Sequence, residues 1–377
     1  MENFPSLNIF LSNLQTMKSS IGELSLEVRE FALDNQLGVD SAINKVLDIH
    51  AEQSAIDEGQ ELRLRKGLVQ KLVGFGFLQP YLDDEEIEEV WINQPGKIWF
   101  AKSGQHFSDS VPFTSEELST LVERMIRSSG RRLDRATPFI DAQLESGFRL
   151  HAVIPDITQK HLSLNIRKFS TRVLELEELV SGGMLNHAQA EYLSKSLREG
   201  ANLMISGATQ AGKTTLLTAL ISALDHSERI VSVEDTFEIR CLLPDWVALQ
   251  TRPASLEGRF EIDLRRLVRE TLRMRPTRLV VGEVRGAESL DMLIAMNSGI
   301  PALCTVHANS STEALKKIQT LPLLAGGNIS SEFLDNIIKA SLQLFVHCQR
   351  DHFGNRRVAS IMRLADSDSL RLEEVKL

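Results

Sequence analysis

Three cysteines in 377 residues leave little scope for covalent cross-links. Cys241, Cys304 and Cys348 are widely spaced and form no CxxC pair, which excludes a disulfide framework. Two of them lie inside apolar runs, so free buried thiols in a reducing compartment are expected. No stretch approaches the roughly 18 apolar residues of a membrane span. The opening, MENFPSLNIFLSNLQ, has neither a basic leader nor a long apolar segment. The expectation is a cytoplasmic protein that would reach a membrane only through a partner. Positive charge is also short: the net charge is −9, and no basic stripe is interleaved with aromatics. Both facts argue against direct nucleic-acid binding. No second His or Cys stands at metal-ligand spacing to His307, so zinc is not expected. Glycine- or serine-rich linkers, internal repeats and low-complexity segments are absent.

What remains has an ordered layout. Residues 1–80 read as a helical N-terminal extension: IGELSLEVREFALDNQ sets Ile21, Leu24, Leu26, Val28, Phe31 and Ala32 near one face. Residues 81–170 read as a small α+β domain. EEVWINQPGKIWFAK predicts two strands around a turn, and FRLHAVIP and HLSLNIRKF alternate as strands do. TSEELSTLVERMIRSSG predicts a helix capped by Thr114 or Ser115 and ended by Gly130. Residues 171–200 read as a helical connector. From 201 to 377, short apolar strands (ANLMIS, ERIVSVE, TRLVVGE, PALCTVHA) alternate with helices, the pattern of a buried parallel sheet with crossovers. The tail reads as a hairpin.

The most informative stretch is SGATQAGKTTLLTAL. Gly207, Gly212, Lys213 and Thr214 fit G-x-x-x-x-G-K-[ST], between a predicted strand at 202–206 and a predicted helix at 213–224. Glycines let successive N–H groups turn inward toward phosphate oxygens, and the helix N-terminus adds partial positive charge. Lys213 is then expected to reach the β- and γ-phosphates, and the Thr214 hydroxyl to ligate Mg²⁺. Glu283, ending the apolar strand in RLVVGEVRG, is placed to polarise water or hold metal-bound water, though a helix-capping glutamate would look the same. Glu234, Asp235 and Glu238 follow another apolar strand, where a solvated acidic turn is the alternative. His307 ends a third strand, as many purely structural histidines do. Between Thr251 and Arg278 lie eight arginines with only four acids. They form a solvated face, or some reach a neighbour's phosphates. Arg131, Arg132, Arg149 and Arg167 are candidates of the same kind in the smaller domain.

These motifs, in order with GRRLDRATPFIDAQLESGFRLHAVIP and LNIRKF upstream, resemble the secretion ATPases of the type II/IV superfamily over roughly residues 70–365. Within it the sequence looks most like the CpaF branch that powers assembly of Flp (Tad) pili. The fold class so implied is α/β: a C-terminal RecA-like P-loop ATPase domain, a smaller α+β N-terminal domain and the helical extension. The resemblance implies ATP and Mg²⁺ as cofactors and a cytoplasmic homohexamer whose nucleotide closes an interdomain cleft. It also implies an inner-membrane platform protein as partner, with no direct nucleic-acid contact and no membrane span. It makes Gly207, Ala208, Thr209, Gln210, Ala211, Gly212, Lys213, Thr214 and Thr215 the Walker A loop, and Glu283 the Walker B carboxylate. Glu234, Asp235 and Glu238 become the acidic box, His307 the His box, and Arg149, with Arg131 and Arg132, the arginines that meet the phosphates. Departures exist. Gln210 and Ala211 stand where such proteins usually have Gly and Ser, and Gln210 is expected to limit left-handed freedom in the loop. The Cys-x-x-Cys zinc module of general-secretion relatives is absent. A VirB11-like type IV secretion ATPase is the runner-up. A nucleic-acid-translocating ring and a nucleotide-gated regulator that hardly turns over are further alternatives.

Overall fold

The computed structural model describes residues 21–377 apart from 22, 36, 54–57, 103, 130, 169–172, 255–258 and 366–369. The first 20 residues of the expected helical extension, and Gly130 as a helix terminator, lie outside the described residues. The chain forms two compact units, one running to Lys168 and the other from Phe169 to Leu377 with residues 103–105.

The first unit begins with helices at 23–34, Val39–Gln53 and Glu58–Leu72. Ala42, Ile43, Val46 and Leu47 recur at helical spacing and bury against Leu24, Val28 and Leu68. Six strands follow: β1 (Ile87–Gln94), β2 (Lys97–Lys102), β3 (Gln105–Ser110), β4 (Phe139–Gln143), β5 (Arg149–Val153) and β6 (Ser163–Arg167). They form one sheet in the order β3-β2-β1-β6-β5-β4. Gln94 pairs with Lys97, so Pro95-Gly96 makes the expected tight turn. Alternation puts Leu150, Ala152, Leu164 and Ile166 in the core. The helix Ser115–Ile126 carries a full capping box: Thr114 Oγ1 accepts from Glu117 N (3.1 Å) and Glu117 Oε2 accepts from Thr114 N (2.8 Å). Its apolar stripe, Leu118, Leu121, Val122, Met125 and Ile126, joins the same core.

The second unit is built on β7 (Leu203–Gly207), β8 (Ile230–Glu234), β9 (Trp246–Gln250), β10 (Arg278–Val281), β11 (Ala302–His307), β12 (Leu344–Arg350), β13 (Arg356–Leu364) and β14 (Leu372–Glu374). The order is β14-β13-β12-β7-β11-β10-β8-β9. β12 through β9 run parallel, and β13 and β14 close the sheet antiparallel. β7, β8 and β10 are buried on both faces, which explains their predominantly apolar sequences without polar alternation to solvent. Helices at Leu176–Ser181 and His187–Arg198, in the stretch read as a connector, bury Leu176, Leu179, Leu193 and Leu197 in this unit's core. The strand expected at 202–206 runs 203–207, and the helix expected at 213–224 runs Lys213–Ser222. Because the strands are parallel, the loops after β7, β8, β10 and β11 emerge at one edge, the usual place for a ligand crevice in such sheets. Among the described residues, no helix is long and apolar enough to cross a membrane.

Candidate active site

The loop after β7 is shaped by two close constraints. A side chain on Gly207 would bring a Cβ within 2.5 Å of the Cys348 carbonyl oxygen. Gly212 takes φ +89° as the residue before the helix Lys213–Ser222. Ala211 is fully buried beneath the loop, while Ala208, Thr209 and Thr215 are exposed around it and Thr214 is half-buried. Gln210 departs from expectation. It does not keep the loop out of the left-handed region but enters it, at φ +60°. Its side-chain Oε1 accepts from Arg350 Nη1 (2.8 Å) and its backbone oxygen from Arg356 Nε (3.0 Å).

Lys213 is buried, and its Nζ donates to the Ala208 carbonyl (2.8 Å) and to His307 Nδ1 (3.3 Å). An ammonium only donates, so Nδ1 is the acceptor and the ring proton sits on Nε2. That atom lies 3.1 Å from Glu283 Oε1. The pair is off the line of a good hydrogen bond, and Glu283 Oε1 is a buried oxygen without a hydrogen-bond partner. The other oxygen, Oε2, accepts from Arg285 Nη2 (2.7 Å). Burial alone would push the Glu283 carboxyl up. The Arg285 hydrogen bond and charge, with His307 and Lys213, outweigh it and hold the group below its ordinary value. Burial and the Lys213 charge hold His307 below its ordinary value. The structure thus brings Lys213, His307 and Glu283 together across three strand ends.

Glu234, at the end of β8, is 3% exposed. Its Oε2 accepts from the backbone N–H groups of Glu238 (2.8 Å) and Ile239 (2.9 Å), fastening the turn that follows. Oε1 is buried without a partner, and burial pushes the carboxyl up to about 7. Two carboxyls at neighbouring strand ends are therefore tuned apart, Glu283 downward and Glu234 upward, a pattern that separates a base from a supporting group. Glu238 is half-buried, and Asp235 is exposed, 3.6 Å from Arg285. Sequence reasoning missed Arg285, although it stands two residues after Glu283 on the same loop.

Arg149, Arg131 and Arg132 belong to the first unit. Arg149 lies 3.6 Å from Asp141, and Arg131 donates to the Asp141 backbone oxygen. Arg132 is exposed. Arg265 and Arg269 are partly solvent-exposed and share one carboxylate partner. Both bind Asp291 on the helix Glu288–Asn297, at 2.6 and 2.7 Å.

This chemistry fits a nucleoside triphosphate with Mg²⁺. The loop backbone is open where a Cβ would block it, a buried lysine borders it, and Thr214 stands in the first helical turn. No cluster of three or more His, Cys, Asp or Glu able to hold a metal occurs among the described residues. A divalent ion here would draw its oxygens from phosphate, water and the Thr214 hydroxyl, the habit of Mg²⁺ rather than of zinc.

Comparison with known proteins gives a consistent result. The family model described as "Type II/IV secretion system protein" matches residues 71–371. A putative conjugal transfer protein of Mycobacterium tuberculosis is 36% identical over 306 residues, covering 79% of this chain and 86% of that protein. The probable conjugal transfer protein TrbB of Sinorhizobium fredii is 31% identical, covering 75% of this chain and 85% of that protein. Among solved structures, the ATPase DotB of Yersinia pseudotuberculosis superposes with a TM-score of 0.56 at 17% identity, covering 83% of this chain and 80% of that one. The pilus retraction motor PilT with bound ADP gives 0.55 at 17% identity, covering 75% and 80%. These two structural likenesses bear on the fold, which is that of the RecA-like ATPases.

Proposed function

The chain belongs to the type II/IV secretion system protein family, and we propose that it is an ATP-hydrolysing motor of a secretion-class machine. The observation that carries this reading is the Lys213–His307–Glu283 constellation beside a P-loop. In the proposed cycle, the N–H groups of residues 207–215 cradle the phosphates. Lys213 exchanges the Ala208 carbonyl and His307 for β- and γ-phosphate oxygens. Thr214, with Glu283 through water, would hold Mg²⁺, which would supply charge neutralisation at the phosphates. Glu283 Oε1, an acceptor awaiting a donor, takes the proton of the attacking water. Glu234 assists by fixing the turn that carries Glu238 toward the nucleotide. Arg149 neutralises transition-state charge, and Arg131 and Arg132 contribute to binding. The working unit is a cytoplasmic homohexamer that passes its motion to an inner-membrane platform protein.

Within this family, Flp (Tad) pilus assembly is supported by the ordered motifs; the missing Cys-x-x-Cys module points to that branch and to its type IV secretion relatives alike. Conjugal transfer is the second reading, favoured by the M. tuberculosis and S. fredii relatives, both named as conjugal transfer proteins. A host strain carrying Lys213→Ala separates them, scored for surface pili and for conjugal transfer. The motor itself is tested by ATPase rate against protein concentration, with mass from light scattering. Turnover should rise as hexamers form and vanish in Lys213→Ala. Hexamers that bind ATP without turning it over would mean that a partner must activate the motor or that the chain is a nucleotide-gated regulator, and absence of turnover with the membrane platform protein added as well would overturn the motor reading.

A further inference from the structure

The β12–β13 hairpin ends beside the P-loop. Arg350 and Arg356 are directly opposite each other in its register. Like charges facing across a hairpin repel, so the pairing needs a compensating acceptor. Gln210 supplies an acceptor to each, Oε1 to Arg350 and its backbone oxygen to Arg356, and Arg350 Nη2 donates besides to the Gly104 carbonyl (2.5 Å). The connecting turn is fixed by Asp351, whose Oδ1 accepts from the N–H groups of Phe353 (2.9 Å) and Asn355 (2.9 Å). The stem of Arg356 also packs over the loop, its Cδ 3.5 Å from where a Cβ on Gly212 would stand. The residue so gripped is the one non-glycine in the P-loop with left-handed backbone, at φ +60°.

We propose that this hairpin is a clamp on the P-loop: Arg350 and Arg356 are positioning residues that hold Gln210 left-handed and so keep the loop in its phosphate-receiving form. The inference rests on the nucleotide-site reading above. A left-handed non-glycine is disfavoured by a factor of about five to thirty. Without the clamp the loop spends most of its time in other conformations, and apparent affinity falls by the lost fraction. Glycine at 210 removes that penalty and makes the clamp dispensable.

The test is a double-mutant cycle read by MgATP binding and steady-state kinetics. Arg350→Ala and Arg356→Ala should each weaken MgATP binding about five- to thirty-fold, with KM raised and kcat at saturating ATP nearly unchanged. Gln210→Ala keeps the backbone penalty and deletes the Oε1 acceptor, and it should weaken binding in the same sense without touching the hairpin. In a Gln210→Gly background either arginine substitution should cost less than about two-fold. Undiminished loss in the glycine background would overturn the proposal, because the arginines would then be touching nucleotide directly. Unchanged affinity in all three single variants, or a fall confined to kcat, would overturn it as well. Lys213→Ala is measured alongside. If it binds and hydrolyses ATP normally, the site reading has failed, and not the clamp.

Discussion

At the scale of single residues, the site is a set of groups held ready rather than relaxed. Lys213 is satisfied by a loop carbonyl and a neutral histidine, both of which it can give up to phosphate. Glu283 has one oxygen committed to Arg285 and one uncommitted. Glu283→Gln preserves the Arg285 contact through its amide oxygen but cannot take a proton. It should bind ATP normally and lose at least about 10²-fold in turnover, the scale of a removed general base; normal turnover would remove Glu283 from the chemistry. Glu234 yields a prediction about pH. Its carboxyl goes from about 4.5 when unfolded to about 7 in the fold, raised by burial against the pull of two backbone N–H groups. Between those values the folded state holds a proton that the unfolded state has lost, so stability falls as pH rises through this window. Glu234→Gln keeps an acceptor for Glu238 and Ile239 and deletes the titration. Melting curves should nearly coincide near pH 5 and separate by a few degrees at pH 8, the variant higher. A separation that does not change with pH would mean that Glu234 is not the titrating group.

At the scale of elements, the sequence exposes what is local and hides what is paired at long range. The strand–loop–helix around 203–222 was legible because apolar run, glycines and helix start are contiguous. So were β8, β10 and β11, each an apolar run ending in Glu234, the 282–283 turn or His307. β9 was not, because Trp246–Gln250 is only partly buried at the sheet edge and carries no strong alternation. The roles of the arginines were hidden for a different reason. Their partners lie 22 to 26 residues away for Asp291 and 140 to 146 away for Gln210, and no local period encodes such pairings. Asp291 makes the point testable. It sits 10% exposed between Arg265 and Arg269 and ties two helices together. Asp291→Ala leaves two guanidinium groups without their shared carboxylate at a partly buried site. The cost should be about 1–3 kcal/mol, less than for a fully buried pair because both arginines reach solvent. Urea unfolding reads this directly; a change below about 0.5 kcal/mol would show the ion pairs to be idle, as many exposed ones are.

At the scale of the whole molecule, the proposed chemistry is divided. The loop, Lys213, His307 and Glu283 belong to the second unit, whereas Arg149, the proposed transition-state cation, belongs to the first. A P-loop site without a nearby cation for the transition state is slow, and an arginine supplied in cis or in trans is worth orders of magnitude. Arg149→Ala should therefore leave MgATP binding mostly intact and slow hydrolysis; unchanged turnover would exclude it from the site. Mixing then identifies the donor. Arg149→Ala subunits keep Glu283, and Glu283→Gln subunits keep Arg149. If the arginine acts in the site of its own chain, co-assembled rings contain no intact site and stay as slow as either variant alone. If it reaches a neighbour's site, about a quarter of the interfaces in randomly mixed rings recover both groups, and activity rises on mixing. A closed ring with head-to-tail contacts permits that sharing, whereas a monomer does not, so the rise should vanish at concentrations where the ring dissociates.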